Sequence, residues 1–404
     1  MTDIQPTEDD MSMPEFDDMD AAPLDFKLED FGDRTAPRSN LTDKLGVMGG
    51  TGLEGRGSKA RSAMVAKYGG TKGSEAAVAM ALEWLAAHQE RDGGWNFDHQ
   101  RGPCKGRCSH AGQISESRKG ATGLALLPFL GAGQTHKEGK YKETVERGLY
   151  YLLNNMKVRN GMADLSDSGG HMYSHGLCAI ALCEAYAMTN DQQLQQPAQL
   201  ALNFIAYAQD PVGGGWRYQP KQAGDTSVVG WQLMACKSGH MAYLRVPRRT
   251  ILGARKFLDF VQSDGGAKYG YTVPAGRPST TSVGLLCRMY LGWKKDEPAL
   301  QRGVDYLGKI GPSNSMYQNY YATQVMRHFG GEPWEKWNTK MRDTLVNSQD
   351  KKGHAKGSWH FPKAPWGERG GRLYCTCMAA MILEVYYRHM PIYGEEAAEE
   401  EFPL

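Results

Sequence analysis

The chain has 404 residues, 41% of them hydrophobic and 23% charged, the make-up of a globular protein of two or three average domains or one large body of repeated units. Its 49 glycines exceed the usual ~7% and announce many turns. No apolar run approaches the ~18 residues of a membrane-spanning helix, and the acidic start is not the pattern of a secretory signal peptide.

The formal net charge of +2 conceals an asymmetry. Residues 1–33 carry twelve acids and one lysine, and residues 395–404 add five acids and no base. The body between them keeps 46 bases against 28 acids. So basic a body favours an anionic surface or headgroup as partner, although acidic tails also serve simply to keep a basic domain in solution. Nothing in the pattern points to a specific nucleic-acid partner. The expectation is a soluble chain, cytoplasmic by default. A start without a folded beginning also fits a domain cut from a longer membrane-anchored protein, which would place it on an extracytoplasmic side.

Residues 1–70 lack hydrophobic periodicity and are rich in Asp, Pro, Gly and Ser, so they are expected to form a disordered acidic and Gly-rich arm. A repeat begins near Ser74. Segments ending at Gln89, Met156, Gln209, Gln262, Gly311 and Gln349 share apolar residues three and four apart, with Trp84, Tyr151, Phe204, Phe257, Tyr306 or Thr344 at one position. Each is followed by a turn and then by a more apolar stretch: 121–132, 173–188, 226–243, 281–293, 320–328 and 374–387. Helices apolar on nearly every side are buried helices. Six hairpins, each pairing an amphipathic helix with a buried one, bury their faces as two concentric rings. The predicted fold is all-α, an α/α toroid (six-hairpin α/α barrel) over residues 71–394, followed by the acidic tail 395–404.

Chemistry is expected where the turns deliver the starts of the inner helices to one rim. Helix N-termini gather there, and their free N–H groups favour anions. Asp225 and Thr226 open the third inner helix, and Asp225 serves either as an acid or as an N-cap. His171, Tyr173 and His175 open the second; the two histidines, four apart, share a helix face. His175 suits proton transfer near neutral pH, or else is a hydrogen-bonded core histidine. Trp231, Tyr320, Tyr321 and Tyr374 lie on or near inner helices, where aromatic faces stabilise cations or simply pack. Arg372 either binds an anionic headgroup or forms a rim salt bridge.

Eight cysteines are scattered, and Cys178, Cys183, Cys236 and Cys287 fall in apolar helical patterns, unlike a disulfide framework. His99, Cys104, Cys108 and His110 crowd an insertion after the first Trp turn, and four such ligands could close a structural zinc site. A Cys104–Cys108 disulfide, or neither, remains open.

Gln89, Gly93 and Trp95 form a Gln-x3-Gly-x-Trp that resembles the QW repeat of squalene–hopene cyclases and their relatives, with looser versions at Gln209…Trp216 and Gln349…Trp359. The wider superfamily includes the β subunits of protein prenyltransferases. The resemblance spans residues 74–391 and implies the same toroid, with a central cavity for an isoprenoid or other apolar ligand and Trp216 and Trp359 among its aromatics. Laid on the DxDDT motif of the cyclases, Gln222, Ala223, Gly224, Asp225 and Thr226 keep only the last Asp and the Thr. The proton-donating Asp falls on Gly224, so the resemblance implies an apolar site without squalene cyclisation, any residual proton transfer falling to Asp225, His175 or Tyr374. A zinc-binding Asp-x-Cys of the prenyltransferases is absent. The expected functions are therefore, in order, a terpenoid-cyclase-like toroid, a non-catalytic binding scaffold, and a carbohydrate-active α/α barrel. The first and third are enzymes if they turn over; the second is not.

Overall fold

A computed structural model describes residues 53, 56–361 and 364–389, so the expectations for residues 1–52 and for the acidic tail lie outside the described residues. Helix α1 (Ser58–Lys67) precedes six hairpins. The outer helices are α2 (Lys72–Ala87), α4 (Lys142–Asn155), α6 (Gln192–Ala208), α8 (Arg248–Val261), α10 (Pro298–Ile310) and α12 (Gly331–Ser348). The inner helices are α3 (Arg118–Gly131), α5 (His171–Thr189), α7 (Thr226–Met241), α9 (Pro278–Tyr290), α11 (Met316–Phe329) and α13 (Gly367–Leu383). Two short ribbons lie between the outer and inner helices of their hairpins, β1 (Lys157–Arg159) with β2 (Met162–Asp164) and β3 (Gln262–Ser263) with β4 (Lys268–Tyr269), both antiparallel, beside a π-helical turn at Gln100–Cys104 and a 3-10 turn at Asp264–Gly266.

Each inner helix packs on the next, α3 on α5, α5 on α7, α7 on α9, α9 on α11, α11 on α13, and α13 back on α3. The ring is closed and the α/α toroid is the fold. The division of labour follows the sequence pattern: α8 buries only Thr250, Ile251, Ala254, Phe257, Leu258 and Val261, whereas α7 buries thirteen of its sixteen residues.

The repeated Gln, Gly and Trp are the joints of this ring. Gln89 Nε2 donates to the carbonyls of Gly93 and Thr144, Gln209 Nε2 to those of Gly214 and Thr250, and Gln349 Nε2 to those of Gly357 and Ala77. Each amide thus satisfies one carbonyl of its own turn and one of the next outer helix. The indoles of Trp95, Trp216 and Trp359 donate back to Leu85, Ile205 and Leu345. Gly93, Gly214 and Gly357 take positive φ (91°, 78° and 90°) and lie against the backbone of the following outer helix. Only glycine meets both demands. Trp216 and Trp359, expected as ligand aromatics, are instead fully buried structural tryptophans behind the inner ring.

One boundary moves. The sequence predicts no structure before residue 71, yet Arg56 is buried and α1 sits on the toroid through Arg61, which pairs with Glu75 at 2.7 Å and lies over the Tyr387 ring at 4.6 Å. The stretch packs through Arg56 and Arg61 together with a few scattered apolar residues, Leu53, Met64 and Val65, too irregularly spaced for a hydrophobic pattern to reveal it.

Candidate functional site

The inner helices converge on an axis with two unlike halves. At their C-terminal ends Arg388, buried, donates to Glu184 (3.2 Å), to Glu384 (3.2 Å) and to the Leu127 carbonyl (2.7 Å). Arg56 closes the cluster on Glu184 at 2.9 Å and on the Arg388 carbonyl at 2.8 Å. Burial works against the Glu184 carboxylate, but Arg388 and Arg56 overcome it and hold its pKa below the ordinary value. Glu384 is different: burial, only partly offset by Arg388, Arg61 and Arg56, pushes its carboxyl up to about 8. Glu184 and Glu384 hang from α5 and the end of α13, and their partners touch α3, so the cluster lies on the axis. The expected apolar lining is thus interrupted by two ion pairs.

Above this plug lies an aromatic layer. Trp231 stacks on Tyr320 (centroids 5.5 Å, planes 18° apart) and meets Tyr321 and Tyr317 edge-on. Trp231, Tyr320 and Tyr321 are buried, so they form a floor rather than open walls.

Above the floor the N-terminal ends of α5, α7, α11 and α13 form a mouth of half-buried tyrosines. Tyr173 Oη lies 2.6 Å from Ser227 Oγ, and Tyr317 Oη donates to the Ser227 carbonyl at 2.9 Å. Tyr218 and Tyr271 share a hydrogen bond of 2.8 Å between their hydroxyls, and the Arg217 guanidinium lies over both rings. Tyr374 completes the wall from α13; its hydroxyl is buried without a hydrogen-bond partner. His171 stands at the edge, 3.3 Å from Gln219.

Asp225 is the acid of this mouth. Its Oδ1 caps α7, accepting from the Ser227 and Val228 N–H groups (2.9 and 3.0 Å) and from the Ser227 hydroxyl (2.6 Å). Its Oδ2 is buried with no hydrogen bond, the nearest cation being Arg217 Nε at 3.9 Å. Burial raises the Asp225 pKa despite Ser227, the Val228 N–H, Tyr271 and Arg217. Cap and free acid are the two oxygens of one carboxyl. At the preceding position a Cβ on Gly224 would lie 2.6 Å from Gly215 Cα and 2.9 Å from the Phe257 ring. The chain has no room there for the acid that the cyclase motif carries.

Other expected site residues stand elsewhere. His175 faces the outer layer: its Nδ1 accepts from the Leu165 N–H (3.1 Å) and its Nε2 donates to the Ala201 carbonyl (3.0 Å). Burial, outweighing Asp164 and the Ala201 carbonyl, lowers its pKa to about 4, so it is a neutral core histidine and not a proton donor of the mouth. Thr226 Oγ1 donates to the Gly270 carbonyl at 2.6 Å and is structural. Arg372 forms the rim salt bridge, holding Asp350, Ser358 Oγ and the Ser109 carbonyl. Its hydrogen bonds are spent on the protein.

The metal-ligand expectation is half met. Cys104 and Cys108 do lie in a common cluster, but their companions are His88 and His354, the four ligand atoms lying within 4.8 Å of one another. His99 packs beside them against Trp84 and His88 without joining, and His110 stacks on His360 at 3.6 Å. Sequence reasoning also passed over Tyr218, Tyr271, Tyr317 and Arg217. Each precedes or opens an inner helix, so the rule that singled out Tyr173 would have found them.

The sequence matches no protein-family model and no curated protein. Among solved structures it is similar to the α-1,6-mannanase GH76A of Salegentibacter sp. HEL1_6 in complex with α-1,6-mannotriose, at 10% identity and TM-score 0.55, over 78% of this chain and 99% of that one. The GH76 α-mannanase of Bacteroides thetaiotaomicron aligns at 13% identity and TM-score 0.54, over 78% and 95%. The type II terpene cyclase MstE from Scytonema aligns at 12% identity and TM-score 0.54, over 78% and 97%. At such identities the likeness establishes the α/α toroid and leaves the chemistry to the site.

Proposed function

We propose that this toroid binds one end of an isoprenoid-like apolar molecule in the tyrosine-lined mouth and does not cyclise squalene. The observation that carries the reading is the convergence of Tyr173 and Tyr317, from two inner helices, on Ser227 beside Asp225, with Tyr374 opening a third, over a floor of Trp231, Tyr320 and Tyr321. Aromatic walls with one convergent polar group are the make-up of a small-molecule site. The ion pairs below the floor confine the ligand to the mouth, and Gly224 leaves the motif's donor position without an acid. Asp225, its pKa raised, supplies a hydrogen bond to a polar end group rather than a proton to an isolated alkene.

The two neighbouring structures pull in different directions. MstE has been solved with geranylgeranyl dihydroxybenzoate, an isoprenoid on an aromatic head. The mannanase is inactive when two adjacent aspartates are replaced. Among the described residues of this chain no two aspartates are adjacent, and Asp167 is spent on Ser174 Oγ and the N–H groups of Gly170 and Gly120. The engagement of Asp167 counts against the glycosidase reading, which needs a second carboxylate about 5–10 Å from the first.

The test is titration with farnesol, followed by Trp fluorescence and by native mass spectrometry. Saturable binding is expected, weakened about three- to tenfold in Tyr374→Ala, the ~0.5–1.5 kcal/mol of one aromatic contact, and altered by Asp225→Asn, which keeps the cap. Absence of saturable binding would leave the non-catalytic scaffold. Conversion of squalene to a polycyclic product would refute the proposal outright.

A further inference from the structure

We infer that His88, Cys104, Cys108 and His354 hold a structural zinc ion that clasps the sixth hairpin of the ring to the first. The four residues come from places far apart in the chain. His88 is the C-cap of the first outer helix, α2; Cys104 and Cys108 lie in the insertion that follows; His354 lies in the turn between α12 and α13. Nothing but closure of the ring brings residue 354 to residue 104.

The spacing approaches that of a tetrahedron and reaches it with shifts of under about an ångström. Zinc bonds of about 2.3 Å to sulfur and 2.0–2.1 Å to nitrogen give edges of roughly 3.3–3.8 Å between ligand atoms. Here Cys108 Sγ lies 3.0 Å from His354 Nδ1 and 3.5 Å from His88 Nε2, and Cys104 Sγ lies 3.9 Å from His354 Nδ1. The supporting contacts are those that metal ligands need. His88 Nδ1 meets the Trp84 carbonyl at 2.6 Å, which fixes its proton there and leaves Nε2 as the free ligand nitrogen. The Trp84 ring stacks on His88 at 3.8 Å, and the Cys108 N–H donates to Cys104 Sγ at 3.3 Å. His88 and both cysteines are buried and His354 partly so, a closed site with no open position for substrate. Two thiolates and two imidazoles neutralise the cation and select zinc over hard metals.

The test is elemental analysis and native mass spectrometry of the purified full chain, with cobalt exchange as a second readout. One zinc per chain is expected, with cobalt giving tetrahedral d–d and thiolate charge-transfer bands. His354→Ala, on a partly exposed turn, and Cys108→Ser should each reduce the metal to below about a tenth of an equivalent, while His99→Ala and His110→Ala keep it. Circular dichroism confirms that each variant is folded, and His354→Ala carries the test should Cys108→Ser not fold. A chain lacking stoichiometric metal would overturn the inference. So would a mass lower by two hydrogens, the mark of a Cys104–Cys108 disulfide, or zinc that survives both ligand changes.

Discussion

Replacing Arg388 by methionine tests whether the ion cluster on the axis holds the ring together. Among the described residues only Arg388 joins Glu184, Glu384 and the Leu127 carbonyl at once, and all of these groups are buried. Methionine fills much of the space, so the loss is electrostatic. Glu184 keeps Arg56 at 2.9 Å, while Glu384 is left without its hydrogen-bonded cation. Removing one partner from a buried ionic cluster costs about 3–5 kcal/mol, here because Glu184 is left with one cation instead of two and Glu384, driven to its neutral form, is left without its donor. At about 2.1 cal/mol/K per residue, the roughly 340 residues of the toroid have an unfolding entropy near 0.7 kcal/mol/K. The melting temperature should therefore fall by about 4–7 °C in calorimetry at neutral pH. A triple change, Arg56→Met, Glu184→Leu and Arg388→Met, removes the remaining Arg56–Glu184 pair as well, leaves Glu384 as a neutral carboxyl, and should recover most of that loss. A fall of less than a degree in Arg388→Met would show that the cluster contributes nothing. A larger fall in the triple variant than in the single one would refute the electrostatic account.

Glu384→Gln should flatten the alkaline side of the stability profile. A carboxyl pushed up to about 8 in the fold binds more protons folded than unfolded, so its contribution is present below its ordinary pKa and is lost as pH rises through about 8. Glutamine cannot ionise, so parallel melting curves of parent and variant from about pH 6 to about pH 9 would contradict the assignment. Gly224→Asp should destabilise by about 1–3 kcal/mol or more, since its Cβ would overlap Gly215 and Phe257; an unchanged melting temperature with new squalene cyclisation would show that the position is open after all. Cutting the chain at Gly70 removes Arg56 and should lower the melting temperature by several degrees, measured beside the full chain; equal values would show that the Arg56–Glu184 pair is idle.

The fold was legible because period and repeat say the same thing six times over. Trp84, Tyr151, Phe204 and Phe257 fall at one position of four successive outer helices and are all buried there. The mouth was partly legible, since Asp225, Tyr173 and Tyr374 open inner helices and do meet. His175 misled because two positions four apart share a face only where both are helical, and His171 opens α5 with a φ of 50°. The charged plug was illegible for a different reason. Glu184 and Arg388 are single charges in apolar stretches, 204 positions apart, and only the closed ring pairs them. His354 escaped in the same way: local spacing offered His99 and His110, while the true neighbour of Cys108 arrives from the far end of the repeat.

The unlike halves of the axis follow from the parallel arrangement of the inner helices. Their N-termini share one end, where N–H groups and the positive ends of the helix dipoles favour an anion. Asp225 sits there, its Oδ1 saturated by the Ser227 and Val228 N–H groups. The same wall of Tyr173, Tyr271 and Tyr317 that excludes water raises the cost of its charge, and burial wins. At the other end the carbonyls accumulate and call for cations, which Arg388 and Arg56 supply by donating to the Leu127 and Arg388 carbonyls. Two guanidiniums buried together would repel, and Glu184 between them relieves that at the expense of an apolar cavity. A ring that gathers six helix C-termini on its axis must either flood that end or neutralise it, and this one neutralises it. The tyrosine mouth is accordingly where the proposed ligand is placed.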